Sequence, residues 1–168
     1  VNEPIRVLLV DDEASFRTQM KRRLSERALE VHEAASGPAA LRLAQECGGA
    51  YDVAVIDQVM GPPNGIETMR VLQESYPDIE VIILTGWGDM EPGEEAMQAG
   101  AYRYLSKPIG NVDELALNVR MAARYGQERQ RRVTLEALVE AGRRIGLAQS
   151  EDDLYERLYK EARELLPE

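Results

Sequence analysis

Short aliphatic runs alternate with longer amphipathic stretches through the first two thirds of the chain. That alternation predicts parallel strands joined by crossover helices. Residues 5–10, 30–34, 51–56, 80–84 and 101–105 are the strand candidates. The first, third and fourth are apolar nearly throughout, as strands covered on both faces must be. The second, Glu30-Val31-His32-Glu33-Ala34, alternates, which suits a half-exposed edge strand and makes His32 a solvent-facing residue. Between them lie helical stretches at 14–27, 38–46, 66–76 and 92–99, and another that starts near Val112. Ser36-Gly37-Pro38 reads as a helix start, Gly48-Gly49 and Gly100 as left-handed helix ends, and Tyr76-Pro77 as a stop. Together these elements make one doubly wound α/β domain over residues 1–124.

In such a sheet, ligands bind beyond the carboxyl ends of the strands. The first strand runs into Asp11-Asp12-Glu13 and the third into Asp57, so carboxylates converge if these strands are neighbours. Like charges so close need a counter-charge, and an all-oxygen site without Cys or His favours a hard ion such as Mg²⁺. The fourth strand delivers Thr85, and the fifth ends in Ser106-Lys107-Pro108. Carboxylate, metal, hydroxyl and ammonium are the parts needed to receive a phosphoryl group. Taken singly, each is commonplace: an Asp after a strand is usually a turn former, and a lysine is usually a solvated surface charge. Their joint appearance at four strand ends is what carries the reading.

Val10-Asp11-Asp12-Glu13, Asp57-Gln58-Val59-Met60 with Asn64-Gly65, Thr85-Gly86, and the run from Gly100 to Pro108 resemble the receiver domain of two-component response regulators. The resemblance covers residues 4–124 and implies a flavodoxin-like five-stranded parallel sheet of order 2-1-3-4-5. It implies that a histidine kinase or phosphotransfer protein donates its phosphoryl group to Asp57 with Mg²⁺ bound. Asp12 and Asp57 would ligate the ion directly, Asp11 largely through water, and the Val59 carbonyl would add an oxygen. Lys107 would bridge to the phosphoryl group, and the Lys107–Pro108 bond would be cis. Thr85 would move toward the phosphoryl oxygen and let Tyr104 turn inward, biasing the face built from the 92–99 helix and the fifth strand. Gly61-Pro62-Pro63 departs from the family pattern, so the loop after Asp57 should change its path. Val59 and Trp87, apolar at positions that influence acyl-phosphate hydrolysis in the family, predict a slowly decaying phosphorylated state.

Such a protein is a switch, not an enzyme, with slow self-dephosphorylation as its only catalysis. An aspartate-nucleophile phosphohydrolase would want a second acid where Val59 stands. A flavin-binding module of this topology would want a Ser/Thr-rich loop where the acids stand. The remaining alternative is a scaffold receiver that binds partners without phosphorylation.

Charge and composition narrow the partners. The 168 residues carry 20 basic and 30 acidic side chains, a net charge of −10, which repels phosphate backbones and argues against direct nucleic-acid binding. Residues 1–124 hold 12 of the basic and 20 of the acidic groups, so most of the excess lies with the strand-end acids. A single cysteine, Cys47, fits a reducing, cytoplasmic setting, and no apolar run approaches the ~20 residues of a membrane span.

After residue 124 the helix continues without proline. Leu135, Leu138, Gly142 and Ile145 form a stripe able to face a partner helix, and Arg129, Arg131 and Arg132 read as a solvated face. Residues 125–149 are therefore expected to be a connecting signalling helix that supports a homodimer. The segment from Thr134 to Leu138, through Ser150 to Leu154, to Ala162–Leu166 resembles the opening two helices of a GAF domain. Residues 150–168 are expected to be the second helix and the start of a truncated GAF-like domain, entered at Ser150 and Asp153 and lined by Leu154, Leu158, Ala162 and Leu165. The expected chain is thus a receiver whose output module lies elsewhere.

Overall fold

The computed structural model describes residues 4–86, 98–144 and Lys160. Five strands are present, β1 (Ile5–Val10), β2 (Leu29–Ala34), β3 (Val53–Asp57), β4 (Glu80–Thr85) and β5 (Arg103–Ser106). They form one parallel sheet in the order β2-β1-β3-β4-β5, as expected. Around it lie α1 (Ala14–Ser25), α2 (Gly37–Glu46), α3 (Gly65–Ser75) and α4 (Val112–Arg144).

Alternation along the central strands divides the core in two. Val7, Leu9, Val53, Val55, Ile82 and Leu84 pack with Met20 and Leu24 of α1 and Val112, Leu115 and Val119 of α4. Leu8, Val10, Ala54, Ile56, Val81 and Ile83 face the other way, against Ala40 and Ala44 of α2 and Ile66, Met69 and Leu72 of α3. Both faces are covered, which explains why β1, β3 and β4 read as unbroken apolar runs.

Local chemistry sets the helix boundaries. The Ser36 hydroxyl accepts from the Ala39 N–H (3.4 Å) at the start of α2, with Pro38 in its first turn. Asn64 and Glu67 form a reciprocal capping box at the start of α3, with both bonds 2.9 Å long. Gly48 and Gly49 take positive φ (62° and 77°) after α2.

Differences from expectation lie at the ends of elements. β3 starts two residues later than expected: at its edge the Arg6 N–H is taken by the Asp52 carboxylate (2.8 Å), while the Asp52 N–H still donates to the Arg6 carbonyl (3.0 Å). β5 is the short stretch Arg103–Ser106. His32 is not simply solvent-facing: its Nδ1 meets the Tyr51 hydroxyl at 2.7 Å and its Nε2 lies 3.3 Å from Glu30. Strand alternation alone does not reveal that pairing, because Tyr51 comes from the loop before β3. Pro62–Pro63 is cis, as is Lys107–Pro108.

The chain divides into two compact units, Val1–Gly126 and Gln127–Glu168. Among the described residues no helix is long and apolar enough to cross a membrane. Trp87, residues 92–97 of the expected 92–99 helix, residues 145–149 of the connector and the 150–168 helix apart from Lys160 fall outside the described residues.

Candidate functional site

β1 and β3 are hydrogen-bonded neighbours with Val10 opposite Ile56, so the residues that follow, Asp11 and Asp57, emerge side by side at the carboxyl edge. Asp11 is fully buried, Asp57 is 5% exposed, and Asp12 lies on the surface beside them. Carboxylate oxygens from the three residues lie within 4.8 Å of one another. Lys107 reaches in from the end of β5, its Nζ 2.6 Å from Asp11 Oδ2 and 3.1 Å from Asp57 Oδ1. The Lys107 N–H is anchored on the Thr85 carbonyl (2.6 Å), and the cis bond to Pro108 follows.

The other Asp11 oxygen, Oδ1, accepts from the Glu13 N–H at 2.8 Å. Both oxygens of Asp11 are therefore engaged within the chain, whereas Asp12 is exposed. α3 enters close behind Asp57, where a Cβ on Gly65 would collide with the Asp57 carbonyl, so only glycine fits there.

Electrostatics follow from this crowding. Burial raises the Asp57 carboxyl above its usual range; contact with Lys107 and the Val59 N–H pulls it down, and Asp11 pushes it up again, leaving the net shift upward. For Lys107, burial works against the ammonium, but hydrogen bonds to Asp11 and Asp57 outweigh it and the pKa is raised. Three carboxylates face one ammonium. An all-oxygen site with surplus negative charge fits a hard divalent cation.

The remaining predicted residues sit around this core. Thr85 is buried at the end of β4, its hydroxyl directed to the Gly86 carbonyl (3.4 Å). Tyr104 on β5 is half-buried on the α2/α3 side of the sheet. Val59 is 60% exposed at the rim. Two neighbours escaped sequence reasoning. Arg17 donates to the Asp11 carbonyl (2.7 Å), and the Phe16 ring centroid lies 4.3 Å from Lys107 Nζ. Their signal is faint: both are one turn into α1, where Phe reads as core and Arg as surface.

The family described as the response regulator receiver domain matches residues 7–120. The chain is 36% identical over 114 residues to the sensor kinase CckA of Brucella abortus, covering 68% of this chain and 12% of that protein. It is 34% identical over 141 residues to the alginate biosynthesis transcriptional regulatory protein AlgB of Pseudomonas aeruginosa, covering 84% and 30%. With the photosynthetic apparatus regulatory protein RegA of Rhodobacter capsulatus it shares 35% over 107 residues, covering 64% and 57%. It therefore spans between about an eighth and somewhat over half the length of these curated relatives. Among solved structures, a response regulator receiver domain protein from Clostridium thermocellum superposes with a TM-score of 0.69 at 31% identity, covering 73% of this chain and 97% of that one. A structure described as an adenylate cyclase from Rhodopirellula baltica gives 0.73 at 26% identity, covering 80% and 98%. The sheet order, the strand-end acids and the family match agree, and the chain belongs to the response regulator receiver domain family.

Proposed function

We propose that Asp57 accepts a phosphoryl group from a phosphohistidine of a histidine kinase or phosphotransfer protein, with Mg²⁺ bound at Asp12 and Asp57. The observation that carries this reading is Lys107 held between Asp11 and Asp57 beside a third carboxylate. An Asp57 oxygen attacks phosphorus, the P–N bond breaks, and its electron pair leaves with the donor imidazole. A bound divalent cation would neutralise phosphoryl oxygens and orient the donor. Lys107 is positioned to exchange its bond to Asp57 for one to the incoming phosphoryl oxygen, keeping its anchor on Asp11. With both its oxygens engaged, Asp11 suits a water-mediated role, and the Val59 carbonyl completes the proposed oxygen set.

In the proposed switch, the Thr85 hydroxyl leaves the Gly86 carbonyl for the acyl phosphate, and Tyr104 follows inward. The change passes to α4, which contains residues of both compact units, and from there to an output module outside this sequence. Exposed Leu117, Met121 and Tyr125, spaced four apart on α4, favour a homodimer in this role.

Acetyl phosphate with Mg²⁺ tests the reading by intact mass. One phosphoryl group should add to the wild type and none to Asp57→Asn. An unmodified wild type would favour the scaffold reading, in which partners bind without phosphorylation.

A further inference from the structure

The ammonium of Lys107 touches three things, and the function proposed above uses two of them. Asp11 and Asp57 accept from it at 2.6 and 3.1 Å, while the Phe16 ring lies beneath it with 4.3 Å between Nζ and the ring centroid. That separation is within the range of a cation–π contact, and the Lys107 side chain is only 19% exposed, so water weakens the attraction little. The ring itself is held in place. Phe16 sits in the first turn of α1 and packs on the core face that contains Val7, Leu9 and Leu84. Its neighbour Arg17 pins that turn to the Asp11 carbonyl.

Lysine has four rotatable side-chain bonds and a compact charge that water would otherwise claim. A phosphoryl acceptor needs this charge to stay in the site while its partner changes from a carboxylate to a phosphoryl oxygen. Asp11 fixes one direction by a hydrogen bond; a ring face supplies a second anchor that does not use a carboxylate and is not consumed when Asp57 becomes phosphorylated. From this geometry we infer that Phe16 is a positioning residue for phosphoryl transfer, acting through Lys107 by the electron density of its ring. The inference rests on the phosphoacceptor reading of Asp57.

Phe16 is the only phenylalanine in the chain, so fluorinated phenylalanine supplied during expression labels this position alone. Mono-, di- and trifluorination drain the ring face step by step while nearly keeping its shape. The rate at which acetyl phosphate and Mg²⁺ modify Asp57 should fall with each fluorine, to about one fifth or less at the last step. Thermal midpoints should stay together across the series. The ¹⁹F resonance of 4-fluorophenylalanine at this position should shift in Lys107→Met. Equal rates across the series would overturn the positioning role. An unmodified wild type would defeat the phosphoacceptor reading and this role with it, and the ¹⁹F response to Lys107→Met would then show the contact to be structural only. Phe16→Leu, which keeps apolar bulk, should be as slow as the most fluorinated protein, and Phe16→Tyr should restore the rate.

Discussion

Two charge clusters among the described residues of the N-terminal unit follow opposite rules. At the carboxyl edge of β1 and β3, buried Asp11 and Asp57 share the Lys107 ammonium, with the exposed Asp12 carboxylate beside them. Between α1 and α4, Arg27 Nε meets Asp113 Oδ1 at 2.6 Å, Arg27 also donates to the Arg23 carbonyl (2.6 Å), and Arg120 donates to the Arg27 carbonyl (2.5 Å). The distances are alike, but at this junction each cation has an acceptor and solvent has access, with the Asp113 side chain 75% exposed. Distance alone is therefore no measure of what a pair does. The junction is electrically settled and screened. The strand-end cluster is left with surplus negative charge in a poorly hydrated place, which is a standing demand for a cation or a charge-changing reaction.

The largest effect should come from removing the ammonium. Lys107→Met should slow Asp57 modification by acetyl phosphate on the order of a hundredfold, since a charge aimed at the developing phosphoryl charge is lost. If that rate stays within a fewfold of wild type, the cluster is no more special than the junction. Next is the cation. Mg²⁺ at about a hundred times its dissociation constant should stabilise the protein by about 2.7 kcal/mol in urea titrations, and Asp57→Asn should lose most of that gain. An equal gain in both proteins would place the ion elsewhere.

A smaller contrast lies in pH. The Asp57 carboxyl keeps its proton to higher pH in the folded chain than in the unfolded one, so without metal its contribution to stability is present at low pH and lost as pH rises through the raised folded value. Asp57→Asn should remove that decline from a series of metal-free urea midpoints. Asp113 runs the other way: the Arg27 guanidinium lowers its carboxyl, so its contribution is present above the ordinary carboxylate pKa and lost as pH falls. Because that pair faces water, Asp113→Asn should leave the neutral-pH urea midpoint nearly unchanged. A clear loss would mean that the junction works as a lock between α1 and α4.

The contrast also governs what was legible in sequence. Strand-end acids follow apolar runs whose order in the chain fixes where they emerge, so Asp11, Asp57, Thr85 and Lys107 were readable from pattern and topology. The sheet order itself is supported by the observed pairings. What pattern did not give was contact between side chains far apart in sequence: Phe16 under Lys107, Tyr51 against His32, Arg27 against Asp113. Such contacts depend on rotamers and on loop paths. Periodicity is blind to both. The start of β3 was misplaced for the same reason, since the Arg6 N–H is taken by the Asp52 carboxylate, a side-chain contact that the apolar pattern does not encode.

The central claim is that Asp57, among three crowded carboxylates, is the one that becomes the acyl phosphate. Borohydride reduces an acyl phosphate to an alcohol and leaves free carboxylates alone. Protein treated with acetyl phosphate and Mg²⁺, reduced and mapped by tandem mass spectrometry should carry homoserine at position 57 and unchanged aspartate at positions 11 and 12. Homoserine at either of those positions, or none at 57, would contradict the account.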